Sequence, residues 1–192
     1  GTRARKTRTK SMNAFSSIDY PDVALIRDGR ILHYILQGKP PMPPVFHDKL
    51  DANVFVLRLI PGMNPDVLRP LANRFDTLVI ESFGVGGLPC YEQADFLSAA
   101  SAWSSAGKPI VITTQVPHEG SDLAVYQVGA RVAAQPGILQ AYTMTAEAVV
   151  TKLMWILPQT RDLAQIKRLF YTPIACDLLL FEEHGQHTDE SN

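Results

Sequence analysis

Three apolar runs alternate with amphipathic stretches through the middle of the chain, and this alternation predicts its fold class. Each run is short and rich in Val, Ile, Leu or Phe, as is typical of strands that are buried on both faces. The predicted strands are Asn53–Ile60, Thr77–Glu81 and Pro109–Thr113. Strands separated by helices imply right-handed crossovers and parallel pairing. The pattern therefore predicts a three-layer, Rossmann-like α/β domain, in which a mainly parallel sheet of about four strands is flanked by helices.

The helices of this pattern carry start and stop signals. Asn64-Pro65-Asp66 supplies an N-cap, a proline at the first helical position and an acid in the first turn of a helix that runs to about Arg74. Gly107 is a suitable C′ residue for a helix from Tyr91 to Ala106. Three more helices are predicted, the first from Ser121-Asp122 to about Ala134, the second capped by Thr143 or Thr145, and the third capped by Thr160 with Asp162.

A hairpin and a proline-rich connector are predicted ahead of the first of these strands. Val23–Asp28 and Ile31–Gln37 have the composition of two short strands around a turn at Asp28-Gly29. The prolines of Lys39–Pro44 then stop regular structure, which indicates an exposed spacer or a rigid loop that touches a partner.

The composition excludes some classes of function. The chain has 192 residues, of which 46% are hydrophobic, and its formal net charge of −1 gives no sign of a polyanionic partner. Five of the eighteen Lys and Arg residues fall within the first ten positions. Such an arm can bind nucleic acid, but a solvated segment or linker is its usual interpretation. There is no apolar run of about 18 residues, so neither a membrane span nor a signal peptide is predicted, and the cytoplasm is the default location.

The cysteines and histidines do not indicate a metal site. Cys90 and Cys176 lie in different predicted elements without metal-ligand spacing, which favours free thiols in a reducing compartment over a disulfide. The five histidines are scattered, and only His118 lies in a predicted loop near the candidate site, where a functional and a structural role are both open. We expect neither a metal ion nor a cofactor.

A glycine-rich turn follows the central predicted strand and marks the candidate site. In an open α/β sheet, ligands bind beyond the carboxyl ends of the strands, which places the expected site at Glu81 to Gly87. Gly84, Gly86 and Gly87 permit close approach of the backbone to a phosphate, a carboxylate or a neighbouring subunit. Pro89 stands in the place of the third glycine of the dinucleotide fingerprint, so that motif is absent. A tight turn with a purely structural role is an equal alternative.

Five segments occur together in an order and spacing that is specific. They are Lys10–Pro21, Thr77–Pro89, Pro109–Gln115, Gly120–Tyr126 and Met144–Leu153. Over about Arg5 to Phe170, the chain resembles the C-terminal half of the asparaginase family. The resemblance is to the cytoplasmic type in particular, and to the related amidotransferase subunit that acts on glutamyl-tRNA.

The resemblance implies an amidohydrolase of asparagine metabolism that converts asparagine to aspartate and ammonia. In the family, a threonine of an N-terminal Thr-Gly-Gly-Thr segment attacks the amide carbon, and water then releases the acyl-enzyme. Neither that segment nor the family's Gly-Thr-Asp-Thr motif occurs here. We therefore expect a C-terminal domain without catalytic residues of its own, inactive when alone, whose partner is the missing N-terminal catalytic domain.

The resemblance also implies how the chain is organised. Residues 1–22 correspond to an interdomain linker or arm, residues 23–181 to the asparaginase-like C-terminal domain, and residues 182–192 to a polar tail. In the family, the active site forms between the N-terminal domain of one subunit and the C-terminal domain of its neighbour. The full-length protein is accordingly expected to form a homodimer or a dimer of dimers and to bind L-asparagine, with no membrane or nucleic acid as a partner.

Residues at the substrate pocket and its interface can be carried over by position. They are Gly84, Gly86, Gly87, Thr114, Gln115 and Asp122. Gly87 stands where some members have asparagine, so a side-chain hydrogen bond is lost there. Asp122 stands where those members have an acid near the substrate's amino group, and a carboxylate is a suitable partner for an ammonium. An acid in the first turn of a helix is the structural alternative for Asp122.

Cytoplasmic relatives can bind asparagine at a second, regulatory site. An arginine and a cysteine contribute to it, and Glu81 and Val116 occupy those two places here. Because an acid in place of a base would repel a carboxylate ligand, we expect that this regulation is not retained in the same form.

Two other functions fit the same residues. One is that of a domain from the tRNA-dependent amidotransferase subunit, which would give the basic arm a polyanionic neighbour. The other is a non-catalytic binding module, in which the turn from Gly84 to Gly87 and Thr114 hold a small molecule.

Overall fold

A four-stranded parallel sheet forms the centre of the computed structural model, which describes residues 2–36, 38, 43–91, 94–125 and 137–179. Within these residues the strands are β1 (Ala4–Lys6), β2 (Phe15–Ser17), β3 (Ala24–Arg27), β4 (Arg30–His33), β5 (Val54–Arg58), β6 (Thr77–Ser82), β7 (Cys90–Tyr91), β8 (Ala94–Asp95), β9 (Ile110–Thr114) and β10 (Ile138–Gln140). The α-helices are α1 (Leu68–Ala72), α2 (Phe96–Ser105), α3 (Ala146–Ile156) and α4 (Leu163–Phe170). Short 3₁₀ turns cover Pro65–Val67 and Leu123–Val125.

The central sheet has the strand order β10-β9-β6-β5, and every neighbouring pair is parallel. Successive residues of a strand point to opposite faces, and the core divides in the same way. Leu78 and Ile80 pack with residues of α1 and α2, whereas Val79 packs with residues of α3 and α4. The predicted three-layer α/β fold is therefore confirmed.

The three predicted strands of the sheet are confirmed as β5, β6 and β9. The fourth strand is β10, which no sequence signal identified because it is only three residues long. All three of its residues are buried, and they pair in register with Ile110 to Ile112. A strand of this length has too few positions to show a period.

Most predicted helix caps are confirmed. The side chain of Asn64 accepts a hydrogen bond from the backbone N–H of Asp66 and starts the Pro65–Val67 turn that leads into α1. Of the two candidates for α3, Thr145 is the cap, since it accepts from the N–H of Ala148 at 3.2 Å. Asp162 caps α4.

The helix predicted from Tyr91 begins later than expected. Cys90–Tyr91 pairs antiparallel with Ala94–Asp95, and the helix starts at Phe96. The side chain of Asp95 accepts the N–H of Ser98 at 2.9 Å, which makes Asp95 the N-cap. The end of this helix is as predicted, because Gly107 has a φ of +76°.

The hairpin and the helix after Asp122 were also predicted. The hairpin is confirmed as β3 and β4, with Asp28 and Gly29 at φ values of +49° and +72°, which suit a tight two-residue turn.

Only the 3₁₀ turn of the helix predicted from Ser121-Asp122 is described. Its predicted continuation over 126–136, parts of the proline-rich connector and the tail of 182–192 lie outside the described residues.

The basic arm is only partly the solvated segment that its composition indicates, because Lys6, Arg8 and Lys10 are exposed but Arg3 is not. β1 pairs with β2, and Arg3 is only 5% exposed. Its guanidinium donates to the carbonyl of Cys176 at 2.8 Å and to both the carbonyl and the hydroxyl of Thr143. Burial lowers the pKa of Arg3, while the negative charge of Asp19 acts in the opposite direction. At least one of the five cations is therefore part of the folded structure.

No helix of the described ranges is long and apolar enough to cross a membrane.

Tyr171 gives the fold a dependence on alkaline pH. Its hydroxyl accepts a hydrogen bond from the N–H of Gln140 at 2.9 Å, and burial raises its pKa from 10.0 to about 12. A tyrosine with a raised pKa stabilises the fold fully below pH 10, and this contribution is lost as the pH rises toward 12. We expect the free energy of unfolding of the wild type, relative to Tyr171→Phe, to fall by roughly 2 to 3 kcal/mol over that range in urea titrations. Tyr34→Phe, which changes an exposed tyrosine, is the control for the substitution itself.

Candidate functional site

The candidate site lies where β6 and β9 end side by side. Ser82 and Thr114, their last residues, are partners in the sheet register. The loop after β6 and the loop after β9 leave the sheet at the same edge. The hydroxyl of Thr114 donates to the carbonyl of Gly84, and the N–H of Asp122 donates to the carbonyl of Val85 at 2.6 Å. The two loops are thus joined at two points, and the structure brings the predicted site residues together.

The glycine turn uses its own backbone donors. The N–H groups of Gly86 and Gly87 both donate to the carbonyl of Phe83, at 3.1 Å and 2.9 Å. A phosphate-binding loop needs such donors directed toward the ligand. The geometry therefore gives no support to a phosphate site formed by these two groups.

The three glycines differ in what they require. Gly84 and Gly86 have φ values of +50° and +124°, and a Cβ on Gly86 would lie 2.9 Å from the side chain of Leu123. Gly87 is outside the left-handed region, and its nearest neighbour would be the Phe83 carbonyl at 3.6 Å, an ordinary contact. The backbone therefore has room for the asparagine that some family members carry at Gly87.

Two of the predicted pocket residues hold the loops together. The Thr114 hydroxyl, besides its bond to Gly84, accepts from the N–H of Val116 at 3.0 Å. The side-chain amide of Gln115 donates to the carbonyls of Leu59 and Glu81, at 2.7 Å and 3.0 Å. Their polar groups are engaged within the domain.

Asp122 presents a carboxylate at this edge of the sheet. Its side chain is exposed, and Oδ1 accepts from the N–H of Ala124 at 2.9 Å, which caps the 3₁₀ turn. Among the described residues, Oδ2 has no hydrogen-bond partner. Asp122 thus precedes the turn and caps it, instead of lying in its first turn as the structural alternative had it. In the described part of the chain, its second oxygen is available to a ligand.

Gln140 positions the segment around Asp122, and sequence reasoning did not find it. Its side-chain amide donates to the carbonyl of Ser121, and its side-chain oxygen lies 3.3 Å from the N–H of Leu123. Gln140 is buried and belongs to β10, the strand that was not predicted. The available signal was the short apolar run that follows Gly137.

The start of this segment depends on a close backbone approach. Gly120 has a φ of +69°, and a Cβ there would lie 2.3 Å from the carbonyl oxygen of Tyr142. That carbonyl accepts from the N–H of Ser121 at 2.9 Å. The hydroxyl of Ser121 is buried and has no partner within the described part of the chain.

The two predicted regulatory positions, Glu81 and Val116, have surroundings that differ from those of Asp122. Glu81 is mostly buried, and its Oε2 lies 3.6 Å from Nη1 of Arg58. Val116 is 45% exposed and borders a space of only about 10 Å³ beneath the arm. A volume of this size holds one water molecule at most.

Two larger clefts lie outside the loops of the candidate site. A cleft of about 410 Å³ beside Gly87 is lined mostly by apolar residues with Phe83 and Tyr91 among them, and no charged side chain of the described residues borders it. A cleft of about 550 Å³ lies along α3, where Lys152 and Asp177 form a buried ion pair at 2.7 Å. No cluster of three or more metal-ligating side chains occurs within the described ranges of the chain.

The open parallel sheet, flanked by helices and with polar loops at its carboxyl edge, defines a three-layer, Rossmann-like α/β domain. The family model for the glutaminase/asparaginase C-terminal domain matches residues 53–170. The chain belongs to this family.

Among curated relatives, an L-asparaginase of Thermococcus kodakarensis is 41% identical over 181 residues, which are 93% of this chain and 53% of the relative. A glutamyl-tRNA(Gln) amidotransferase subunit of Pyrococcus furiosus is 28% identical, over 93% of this chain and 40% of the relative. The chain therefore spans about half the length, or less, of these relatives.

Two solved structures of L-asparaginases have the same fold as this chain. The thermostable L-asparaginase from Thermococcus kodakarensis superimposes with a TM-score of 0.87 at 38% identity, covering 94% of this chain and 54% of that one. L-asparaginase I from Vibrio cholerae has a TM-score of 0.78 at 24% identity, with 93% and 54% coverage, and this likeness bears on the fold alone.

Gly120 offers a test of the loop geometry. Gly120→Ala places a Cβ against the Tyr142 carbonyl, whereas Gly107→Ala has nearly the same φ but nothing within 4 Å of the new Cβ. Both variants should lose about 1 kcal/mol of stability from the left-handed backbone, and Gly120→Ala roughly 1 to 3 kcal/mol more. Urea unfolding of the two variants measures this difference. Equal losses would show that the close approach is absent.

Proposed function

We propose that this chain is the C-terminal domain of an L-asparaginase that hydrolyses L-asparagine to L-aspartate and ammonia. In this proposal the domain completes the wall of the active site and contributes to the subunit interface. The nucleophilic threonine comes from an N-terminal domain that this chain does not include, so the chain alone is inactive.

The single observation that carries the proposal is the 41% identity to an L-asparaginase over 93% of the chain. The amidotransferase subunit is supported less, since its identity is only 28%. The basic arm is only partly available to a polyanionic neighbour. Arg3 is buried, and Arg5 pairs with Glu147 at 3.2 Å, so two of the five cations of the arm already have partners in the domain.

The geometry of Asp122 supports a role in substrate binding. Its exposed carboxylate uses one oxygen to cap the 3₁₀ turn, and the other has no partner among the described residues. An ammonium group is a donor of the matching charge, and a charge-assisted hydrogen bond orients as well as binds. In the proposed function, Asp122 holds the amino group of asparagine while the side-chain amide faces the N-terminal domain.

The hydroxyls at the candidate site support the prediction that the chain is inactive alone. A serine or threonine nucleophile needs a base within hydrogen-bond reach to accept its proton. The hydroxyl of Thr114 donates to a backbone carbonyl, which is not a base, and the hydroxyl of Ser121 is buried without a partner among the described residues. Neither has the environment of an activated nucleophile.

The β3–β4 hairpin supports an association with another domain. Ile26 and Ile31 are register partners, 73% and 61% exposed, and Leu32 and Tyr34 next to them are 58% and 59% exposed. A two-stranded hairpin with exposed apolar residues is marginal in water on its own. We propose that a second subunit or the N-terminal domain covers it in the full-length homodimer or dimer of dimers.

The regulatory site of cytoplasmic relatives is proposed to be absent. Glu81 contributes negative charge where they have an arginine, and it already faces the cation of Arg58. The space beside Val116 is too small for an amino acid.

A cytoplasmic location fits the exposed free thiols of Cys90 and Cys176, which would be at risk of oxidation in an oxidising compartment.

The proposed function can be tested by complementation. We expect no ammonia release from asparagine by the purified chain, and release when it is mixed with the separately expressed N-terminal half of its parent protein. In the active mixture, Asp122→Asn should raise KM for asparagine by about tenfold, because a charge-assisted hydrogen bond becomes a neutral one. The exposed acid Asp48, changed to Asn, is the control. Activity of the chain alone would contradict the assignment of the catalytic residues to the other half, and folded but inactive mixtures would favour a non-catalytic binding module.

The hairpin surface can be tested by sedimentation. Ile31→Asp should weaken association of the chain, with itself or with the N-terminal half, by roughly tenfold, because a charge would then be buried in an apolar contact. Met12→Asp, which changes a fully exposed apolar residue outside the hairpin, should not. Unchanged association of the Ile31→Asp variant would show that the partner surface lies elsewhere.

A further inference from the structure

A single carboxylate joins the N-terminal arm to the loop that leads to Asp122. Oδ2 of Asp19 accepts the backbone N–H of Glu119 at 2.8 Å. Oδ1 of the same residue lies 3.0 Å from Nδ1 of His118, which donates to it. The side chain of Asp19 is 23% exposed and that of His118 61%, so the carboxylate is the more enclosed partner. Both of its oxygens are therefore used by the loop after β9.

The backbone at this contact needs outside support. Asp19 and Glu119 have φ values of +50° and +73°, and Gly120 follows at +69°. Residues other than glycine adopt the left-handed region at a cost, and they remain there only when the surrounding contacts hold them. At Glu119, the bond from its N–H to Asp19 is such a contact.

The arm side of the contact is also anchored by groups other than Asp19. Ile18 is 2% exposed, and its N–H donates to the carbonyl of Arg3 at 2.9 Å. Arg3 in turn donates to the carbonyls of Thr143 and Cys176. The main chain that carries Asp19 is thus anchored to the body of the domain.

On the loop side of the contact, each residue from Gly120 to Asp122 is held by a close contact or a hydrogen bond. After Glu119, the close approach of Gly120 to Tyr142 and the bond from the Ser121 N–H to the same carbonyl fix the next two residues. The N–H of Asp122 then bonds to the glycine turn. Only Gly120 and Ser121 separate Glu119 from Asp122, and both are held against Tyr142.

We propose that Asp19 is a positioning residue for Asp122. Through Glu119 and His118 it holds the loop after β9 in the conformation that presents the Asp122 carboxylate, and it makes the site depend on the docking of the arm. Asp19 touches no substrate in this proposal. The part that concerns substrate binding rests on the proposed function of Asp122, whereas the part that concerns the loop does not.

Amide hydrogen exchange of the isolated chain tests the loop directly. Asp19→Ala should accelerate exchange of the Glu119 N–H by roughly tenfold or more, since it removes a charge-assisted acceptor. Exchange at Val111, within β9, should not change. Asp19→Asn keeps an oxygen that can accept this N–H and should restore most of the protection. Asp22→Ala, an exposed acid of the same arm, is the matched control. Unchanged exchange at Glu119 in Asp19→Ala would overturn the proposal.

The effect on the site is measured in the complementing mixture. Asp19→Ala should raise KM for asparagine by about tenfold while kcat changes less than about twofold, because the displaced group acts in binding. Asp19→Asn should stay near the wild type. A lower kcat with unchanged KM, or no change in either, would overturn the positioning of Asp122.

The two readouts separate this proposal from the proposed function. If no mixture releases ammonia, the proposed function fails, and the exchange rate of Glu119 still decides whether Asp19 holds the loop. If the wild-type mixture is active and Asp19→Ala behaves as the wild type in both readouts, the proposed function stands and the role of Asp19 is refuted.

Discussion

Burial of β6 on both faces is the constraint from which the architecture follows. Every residue of this strand is buried, and its backbone pairs with β5 on one side and β9 on the other. Such a strand needs a layer of helices on each face, because either face left open would expose a row of apolar side chains. The chain can change direction only beyond the strand ends. Polar side chains of the sheet are therefore concentrated at its edges, and the carboxyl edge collects the two loops of the candidate site.

Most of the polarity at that edge is used to build it. Thr114, Gln115 and Gln140 bond to carbonyls and N–H groups of neighbouring loops rather than facing outward. This arrangement satisfies backbone groups that cannot join the sheet. It also holds the backbone at Asp122 in place, since the N–H of that residue bonds to the glycine turn. The polar groups of this edge thus serve mainly to hold the two loops together.

The sequence predicted the parts that depend on local pattern. Long apolar runs, the caps at Asn64 and Asp162 and the turn at Asp28 were found because residue type and spacing decide them. β10 was missed because three residues cannot show a period, and Gln140 was missed with it. Arg3 was misassigned for a different reason: composition counts a cation as exposed, whereas its burial depends on carbonyls that are remote in sequence. The meeting of the two site loops followed from parallel topology, but their individual hydrogen bonds did not.

The position of Arg3 has a consequence for the order of events during synthesis. Its acceptors on Thr143 and Cys176 lie 140 and 173 residues further along the chain, so the arm is made long before its binding partners exist. The parallel core can assemble from contacts of shorter range, whereas docking of the arm has to wait for nearly the whole domain. A hydrophilic arm suits such a delay, because it stays solvated and does not associate with unfinished apolar strands. The basic composition of the arm, which is also typical of nucleic-acid binding, thus suits a segment that docks after the rest of the domain.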